Sequence, residues 1–251
     1  MSTLAIIPAR YASTRYPGKP LVDIAGKSMI QRVYDQVSRA ILVDRVIVAT
    51  DDSRIFDHVK SFGGDVMMTS ENHVSGTDRC AEVARAFPDF EVVINVQGDE
   101  PFLSPDDVDR VVEPLTNDSG LSISTLSTPV KTTQTLFDPN AVKVVRKQSG
   151  EALYFSRQAI PFMRNVPQSD WLTHQQYLKH LGIYGFRSQT LMMLSSLKPS
   201  SLEKAESLEQ LRWLEAGFSI FVGITENDSI GIDTPEDLQR LMKRQLLFDK
   251  E

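Results

Sequence analysis

Cysteine and histidine are scarce in this chain. One cysteine, Cys80, and four histidines occur among its 251 residues. A single cysteine excludes an internal disulfide, which is typical of proteins that stay in a reducing compartment. The histidines have no metal-ligand spacing and predict no zinc site; they are His58, His73, His174 and His180. We therefore expect a cytoplasmic protein.

Long apolar runs and an excess of basic residues are also absent. No run approaches the ~20 residues of a membrane-spanning helix. The formal net charge is −6 and the isoelectric point is near 5.3. An acidic chain is poorly suited to nonspecific binding of nucleic acid or of an anionic membrane. We expect neither as a partner, and any cations that bind an anion must be placed locally.

The two best-known phosphate-binding motifs are missing, but a basic loop lies near the N-terminus. There is no Gly-x-x-x-x-Gly-Lys-Ser/Thr and no Gly-x-Gly-x-x-Gly. Instead, the apolar run Leu4–Ile7 predicts a buried strand, and the loop after it combines small residues with three cations. Small residues let backbone N–H groups approach an anion, and cations neutralise it. The loop predicts a triphosphate site, with an ordinary solvated loop as the alternative. The candidate contacts are Ala9, Arg10, Ser13, Arg15 and Lys19.

Predicted strands and helices alternate along the first half of the chain. Apolar strand patterns at 4–7, 45–49, 65–69 and 92–96 are separated by helical patterns. This alternation is typical of a doubly wound, mostly parallel α/β sheet, in which ligands bind at the carboxyl ends of the strands. The regular alternation of strands and helices ends beyond the strand predicted at 122–126. We predict one domain over residues 1–251, with a smaller inserted α+β lobe at 125–215.

Two aspartates follow predicted strands. Asp99 lies in the turn Gln97–Pro101, directly after an almost wholly apolar strand that is expected to be central. Asp233 lies at a strand-to-helix junction, where Thr234 and Pro235 already account for the helix start. The carboxyl ends of parallel strands open onto one crevice, so we expect both carboxylates there. A plain surface turn is the alternative for Asp99, and Gln97 in the same turn is a candidate nucleotide contact.

Small polar residues also lie at two predicted helix starts. Ser75 and Thr77 precede the helix predicted at Cys80–Phe87; capping is their default role, and contact with a base or a sugar is the alternative. Thr50, Asp51 and Asp52 precede another helix, predicted at Ser53–Phe62. Capping is again the favoured role, and lining a site at the end of the strand is the alternative.

The lobe predicted at 125–215 has fewer residue patterns that indicate a structure or a role. Residues Leu202–Ala216 predict one continuous helix, with Glu209 and Gln210 off its buried face. Residues Asn165–Gln176 are polar and predict a mobile loop. Arg157 is embedded in an apolar run, where an arginine is usually paired.

Together these segments resemble the 3-deoxy-manno-octulosonate (Kdo) cytidylyltransferases. The N-terminal loop alone is shared with the wider nucleotidyltransferase group, whereas the segments between Tyr154 and Arg212 are specific to the Kdo enzymes. The matching stretches run in order along nearly the whole chain: Ile7–Arg15, Pro17–Pro20, Ser75–Thr77, Asn95–Pro101, Asn140–Val145, Ala152–Arg157, His180–Tyr184, Leu202–Glu203, Ser207–Arg212 and Gly231–Asp237.

The resemblance implies transfer of CMP from CTP to the anomeric hydroxyl of Kdo, with release of pyrophosphate. The product activates the sugar for lipopolysaccharide assembly. The resemblance also implies a requirement for Mg²⁺, with Asp99 and Asp233 as the metal ligands, and a homodimer built through the 125–215 lobe. Arg10, Lys19, Asp99 and Asp233 are the expected catalytic residues, because this chemistry rests on positioning and charge neutralisation.

The acceptor sugar is expected to bind in the lobe. Arg157 is the candidate partner of its carboxylate, and the candidate partners of its hydroxyls are His180, Tyr184, Glu209 and Gln210.

The chain departs from the family pattern beside these residues. At Phe162-Met163-Arg164 the acid that the family usually has is missing, and Asn165–Tyr177 matches no family segment. The alternative acceptors are the 8-amino analogue of Kdo, another 2-keto sugar acid such as sialic acid, and a sugar phosphate. Enzymes for the last two are expected to lack the motifs between Tyr154 and Arg212, whereas the 8-amino analogue differs by one hydroxyl-to-amine change that very few residues would need to read. A nucleotide-binding regulatory protein without turnover is the alternative from another class, but sensing a nucleotide needs no paired metal site.

Overall fold

The structure is a computed structural model that describes residues 1–12, 16–228, 231–232 and 234–239. The chain divides into two compact units. The N-terminal unit comprises Ser2–Asp109 and Ser229–Glu251, and the middle unit comprises Met1 and Arg110–Asp228. The two units are described separately below.

The N-terminal unit is built on parallel strands that alternate with helices. Its strands are β1 (Thr3–Ala9), β2 (Asp23–Ile24), β3 (Lys27–Ser28), β4 (Arg45–Thr50), β5 (Val66–Met68) and β6 (Val92–Asn95). Its helices are α1 (Met29–Val37), α2 (Ser53–Ser61) and α3 (Gly76–Ala86). The order β6-β1-β4-β5 is parallel throughout. Residues Leu4–Ile7 of β1 are fully buried, because β1 is flanked by a strand on each side.

Strand register brings two loop starts together at the carboxyl end of this sheet. Ala9 of β1 lies beside Thr50 of β4. Arg10 and Asp51, the next residues of the two strands, therefore leave the sheet side by side. Asp52 caps α2 by accepting a hydrogen bond from the Arg54 N–H at 2.9 Å, which confirms its predicted role. Asp51 is not part of that cap.

Helix α4 (Pro105–Asn117) runs across the sequence boundary into the middle unit, which is a mixed α+β structure. Its strands are β7 (Ile123–Pro129), β8 (Lys143–Arg146), β9 (Ala152–Ser156), β10 (Leu178–Arg187) and β11 (Phe221–Ile224). Its further helices are α5 (Thr133–Phe137), α6 (Trp171–His174), α7 (Ser188–Leu194), α8 (Ser201–Glu206) and α9 (Gln210–Glu215). Strand β11 pairs with β7 in parallel, whereas the pairs β7–β10, β10–β8 and β8–β9 are antiparallel. The predicted α/β class, with mostly parallel strands and a smaller α+β part, is confirmed.

Three element predictions were wrong. Helix α3 begins at Gly76 rather than at residue 80, because the Ser75 side chain caps it. The helix predicted at Leu202–Ala216 is two helices, since Ser207 adopts a left-handed φ of 51° that ends α8. The segment predicted as a polar mobile loop at Asn165–Gln176 contains Trp171, which is 2% exposed and packs with Val130, Leu136 and Tyr177.

Candidate active site

A cleft of about 370 Å³ opens at the carboxyl ends of the parallel strands of the N-terminal unit. Three segments line it: the end of β1 with the following loop, the start of α3, and the turn after β6. The lining residues are Pro8, Ala9, Arg10, Lys19, Pro20, Val74, Ser75, Gly76, Arg79, Gln97, Gly98 and Asp99. The predicted residues Ala9, Arg10, Lys19, Ser75, Gln97 and Asp99 are thus brought together. Thr77 is buried on the first turn of α3.

Gly98 makes this convergence possible. A Cβ atom at this position would lie 2.8 Å from the Pro8 carbonyl oxygen, closer than side-chain carbons come to other heavy atoms. Any larger residue would therefore push the turn away from the end of β1. Glycine here allows the turn to place Asp99 beside the loop that carries Lys19.

Lys19 and Asp99 form an ion pair in the cleft. The Lys19 Nζ donates a hydrogen bond to Asp99 Oδ2 at 2.7 Å, with 14% and 28% of the two side chains exposed. Lys19 begins a 3-10 turn, Lys19–Leu21, directly after Gly18, whose φ of 74° suits glycine. The predicted phosphate-binding cation and the predicted metal ligand therefore form a direct ion pair, a contact that no sequence pattern indicates.

Arg10 points toward two partners outside its own loop. It donates from Nη2 to the His73 carbonyl oxygen, and its Nε lies 4.0 Å from Asp51 Oδ2. Its side chain is 41% exposed, so the guanidinium is held and yet accessible from the cleft. This arrangement suits a cation that must meet an incoming phosphate.

A buried arginine that is not among the predicted site residues also lines the cleft. Arg79 on α3 is 0% exposed. It donates to Asp51 Oδ2 at 2.6 Å and to the Thr69 hydroxyl. Asp51 thus neutralises a buried cation, while the capping predicted for this stretch is carried out by Asp52 alone. The signal was available, because Asp51 directly follows the parallel neighbour of β1.

Three predicted site residues, Ser13, Arg15 and Asp233, lie outside the described residues. Ile232, one residue before Asp233, donates its backbone N–H to the Asp99 carbonyl oxygen at 2.9 Å. Ile232 is fully buried with Ile24 and Met29. The described part of the C-terminal segment is therefore fixed to the turn that carries Asp99.

The predicted acceptor residues gather in the middle unit. Tyr184 and His180 on β10 have ring centroids 5.2 Å apart, and Tyr184 lies 5.0 Å from Trp213 of α9. Glu209 and Gln210 stand at the start of α9, and Gln210 is 5% exposed. The expectation that Gln210 lies off the buried face was wrong. Ser207 ends α8, and α9 is a separate helix that buries a different face from the one predicted for a continuous helix.

The Tyr184 hydroxyl is the most informative polar group of this cluster. It is buried and accepts or donates no hydrogen bond among the residues that the structure describes. Burial, with the Glu209 carboxylate as a smaller cause, raises the pKa of Tyr184 well above its usual value, so the hydroxyl stays protonated. A buried hydroxyl without a hydrogen-bond partner lowers the stability of the fold unless a ligand forms a hydrogen bond with it.

Arg157 is held by backbone carbonyls. Its Nε donates to the Glu206 oxygen at 2.7 Å, Nη1 to the Pro139 oxygen at 3.0 Å and Nη2 to the Ser207 oxygen at 3.3 Å. The Glu206 carboxylate accepts the Arg157 backbone N–H at 2.9 Å. These bonds leave donor capacity on the five N–H groups of the guanidinium for an anion.

A buried lysine also supports Arg157. Lys143 is 0% exposed and donates to the Arg157 carbonyl oxygen at 2.6 Å and the Asp138 carbonyl oxygen at 2.8 Å. Desolvation lowers the pKa of Lys143. No sequence pattern indicates this role, because a lysine in a strand is ordinarily exposed.

Comparison with known proteins identifies the family. A family model described as cytidylyltransferase matches residues 4–223. The chain is 49% identical over 247 residues to a 3-deoxy-manno-octulosonate cytidylyltransferase of Parabacteroides distasonis, covering 96% of this chain and 97% of that protein. It is 51% identical over 243 residues to the enzyme of the same name from Cytophaga hutchinsonii, covering 96% of each. The chain belongs to the 3-deoxy-manno-octulosonate cytidylyltransferase family.

Solved structures agree with this family. A CMP:2-keto-3-deoxy-manno-octonic acid synthetase complexed with CTP superposes with a TM-score of 0.92 at 41% identity, over 98% of this chain and 99% of that chain. A 4-diphosphocytidyl-2C-methyl-D-erythritol synthase of Anaerococcus prevotii, at 16% identity and a TM-score of 0.63, shares the fold. As a member of the Kdo cytidylyltransferase family, the chain is a nucleotidyltransferase.

The cleft residues of this family member fit a magnesium ion. Mg²⁺ is usually held by one or two carboxylates together with substrate phosphates. Asp99 supplies such a carboxylate, and it already pairs with a cation, the Lys19 ammonium. Within the described residues no three acidic, histidine or cysteine side chains form a complete metal cluster.

No described helix of the chain has both the length and the apolar character that a bilayer crossing requires.

His180 should make the fold acid-sensitive. Burial lowers the pKa of His180 to about 3, from an ordinary value of 6.5. Between these values the unfolded chain binds a proton that the native ring does not, so stability falls as the pH falls from 6.5 toward 3. We expect wild type to lose up to about 1 kcal/mol per pH unit more than His180→Gln in this window. Urea unfolding at pH 7.5, 6 and 5 measures the difference; parallel losses in both proteins would contradict it.

Proposed function

We propose that the chain transfers CMP from CTP to the anomeric hydroxyl of Kdo, releases pyrophosphate, and so activates the sugar for lipopolysaccharide assembly. The observation that carries this proposal is the Lys19–Asp99 pair in the cleft at the ends of the parallel strands. It joins a phosphate-binding cation to a carboxylate of the kind that holds a metal. The substrates, CTP and Kdo, are inferred from the chain's membership in the Kdo cytidylyltransferase family.

The N-terminal unit binds CTP with its triphosphate in the cleft. Arg10 and Lys19 neutralise the phosphate oxygens, Arg15 adds charge from the same loop, and backbone and side-chain groups of Ala9 and Ser13 line the anion site. Ser75, Thr77 and Gln97 contact the nucleoside. The Kdo hydroxyl attacks the α-phosphorus in line with the leaving pyrophosphate. Catalysis consists mostly of positioning and charge neutralisation, and no side chain is assigned as a general base.

Asp99 and Asp233 would hold the Mg²⁺ ion. When bound, Mg²⁺ supplies positive charge beside the α-phosphate and the reacting hydroxyl. The backbone bond from Ile232 to the Asp99 carbonyl supports this assignment of Asp233, because it ties the two chain segments together. When the nucleotide binds, the Lys19 ammonium leaves the Asp99 carboxylate and pairs with the triphosphate instead.

The middle unit recognises the acceptor. Arg157 binds the Kdo carboxylate, while His180, Tyr184, Glu209 and Gln210 bind its hydroxyls. Neutral His180 accepts or donates one hydrogen bond, and Glu209 accepts. The 8-amino analogue of Kdo is the second candidate acceptor, because it differs from Kdo by one hydroxyl-to-amine change, which very few residues would need to read. Residues 125–215 form the acceptor-binding and dimerisation lobe of a cytoplasmic homodimer.

Tyr184→Phe should separate acceptor binding from stability. The Tyr184 hydroxyl is unpartnered among the described residues, so its loss should leave the free energy of unfolding unchanged or raise it by up to about 1 kcal/mol. The KM for Kdo should rise about tenfold while the KM for CTP is unchanged. Tyr177→Phe is the matched control, since the Tyr177 hydroxyl donates to the Pro161 oxygen at 2.8 Å and its loss should cost about 1 kcal/mol. A Tyr184→Phe protein with unchanged kinetics would remove Tyr184 from the acceptor site.

Pyrophosphate release tests the proposed reaction. The purified protein is assayed with CTP, UTP, ATP and GTP against Kdo, its 8-amino analogue and sialic acid, with Mg²⁺ present. We expect release with CTP and Kdo well above every other pair. Preference for the 8-amino analogue would reassign the acceptor, and release with none of the sugar acids would refute the proposal.

A further inference from the structure

Helix α3 carries two charged side chains that fix groups outside the helix. Arg79 pairs with Asp51 at 2.6 Å. Glu82, one turn further along, pairs with the His73 ring and also accepts the Ser70 backbone N–H at 3.0 Å. The loop between β5 and α3 is therefore tied to α3 at both Ser70 and His73.

Asp51 and His73, the residues held by these two side chains, both contact Arg10. The Arg10 guanidinium lies 4.0 Å from Asp51, and it donates to the carbonyl oxygen of His73. The first contact is an ion pair at its outer limit of distance. The second depends on where the loop places the His73 backbone. The Glu82–His73 pair is thus the connection that fixes the acceptor for Arg10.

The Glu82 carboxylate is suited to this role at neutral pH. Partial burial by itself would raise the pKa of Glu82, but hydrogen bonds from the Ser70 N–H and the His73 ring outweigh burial and hold the pKa below its usual value. The carboxylate therefore stays ionised. His73 is 19% exposed and Glu82 is 31% exposed, so neither side chain is part of the apolar core.

We propose that Glu82 and His73 are positioning residues that hold Arg10 ready for the triphosphate of CTP. The proposal rests on the proposed function, in which Arg10 contacts the nucleotide phosphates. A guanidinium that is already oriented loses less side-chain entropy when the phosphate arrives. Without the Glu82–His73 pair, the loop no longer holds the His73 carbonyl oxygen in place for Arg10. Arg10 is then ordered only when CTP binds, and the entropy it loses weakens CTP binding.

A double-mutant cycle tests this proposal. The Kd of CTP is measured by calorimetry for wild type, Glu82→Gln, Arg10→Ala and the double variant. Glu82→Gln should weaken CTP binding about fivefold in the wild-type background and have no effect in the Arg10→Ala background, because neighbouring residues of one network are not additive. The unfolding temperature of Glu82→Gln should stay well above the temperature of the binding measurement, so that weaker binding does not reflect a loss of folded protein.

Two further variants separate positioning from general stability. His73→Ala should weaken CTP binding as much as Glu82→Gln, and combining the two should add nothing. His73→Gln retains a donor for Glu82 and should restore most of the affinity. Asp65→Asn is the control, because it breaks the exposed Arg45–Asp65 pair at 3.0 Å on the same unit; it should leave the Kd of CTP unchanged.

The outcomes distinguish the two proposals. If Arg10→Ala weakens CTP binding but Glu82→Gln does not, the positioning role is overturned and the nucleotide site stands. If Glu82→Gln weakens binding equally in both backgrounds, the effect does not pass through Arg10, and the proposal is again overturned. If wild type binds no CTP, the proposed function fails with it.

Discussion

Lys19→Met is expected to lower turnover by roughly 100-fold, the effect of removing one electrostatic contact to reacting groups. It should also tighten metal binding to the protein without nucleotide. In the free chain the Lys19 ammonium neutralises Asp99 at 2.7 Å, so a divalent cation must displace it. Methionine keeps the length and removes the charge. Mn²⁺ binding followed by electron paramagnetic resonance should show about tenfold higher affinity, or ~1.4 kcal/mol, in the variant.

Lys27→Met is the matched control for this result. Lys27 pairs with Asp35 at 2.6 Å on the exposed surface of the same unit, and both side chains are largely accessible. Its loss should change neither turnover nor Mn²⁺ affinity. Near-normal turnover in Lys19→Met would mean that the basic loop is structural. Unchanged Mn²⁺ affinity would mean that the ammonium does not compete for Asp99.

Asp99→Asn is expected to remove most turnover, by roughly 100- to 1,000-fold, while the protein remains folded. The amide keeps the size of the side chain, but it removes the negative charge that would hold Mg²⁺ beside the α-phosphate. Because the pair is partly buried, with 14% of Lys19 and 28% of Asp99 exposed, losing it should cost about 1–3 kcal/mol of stability. Steady-state kinetics, circular dichroism and thermal unfolding measure these quantities.

The control for this variant is Asp35→Asn, which removes the partner of Lys27. Its turnover should equal that of wild type. Asp99→Asn should also lose Mn²⁺ binding in the presence of CTP. A folded Asp99→Asn protein that retains wild-type turnover would exclude Asp99 as a metal ligand. Ca²⁺ should bind to wild type but support little reaction, because its looser geometry positions the attacking oxygen poorly.

The N-terminal unit was the more predictable part of the chain. An apolar run such as β1 is ordered by burial alone, and alternation with helices defines a parallel sheet. The carboxyl ends of parallel strands meet at one edge, so Arg10 and Asp99 were correctly expected in one place. The cleft residues were predictable because their positions follow from strand order.

Side-chain pairing within that edge was less predictable. The ion pair between Lys19 and Asp99 depends on the close approach of Gly98 to Pro8, which is a distance and not a pattern. The burial of Arg79 and its pairing with Asp51 depend on how α3 packs. A sequence shows which strands end together, but it does not show which charges neutralise one another there.

The middle unit was predicted less well for a local reason. The apolar pattern across Leu202–Ala216 continues through Ser207, where a single left-handed residue divides the helix. That break resets which face of α9 is buried, so Gln210 is inside. Helical periodicity cannot reveal a one-residue break, because residues on either side keep the helical pattern.

The central claim is that one cleft holds both the metal and the triphosphate, and a crystal structure with CTP and Mn²⁺ tests it most directly. The anomalous signal of Mn²⁺ should lie at a normal metal–oxygen distance from the Asp99 carboxylate, with the triphosphate against Arg10 and Lys19. The Asp233 carboxylate should lie near the same ion. Nucleotide bound elsewhere, or Asp99 and Asp233 carboxylates more than ~10 Å apart, would contradict the account, because that separation is too wide for one ion or an adjacent pair.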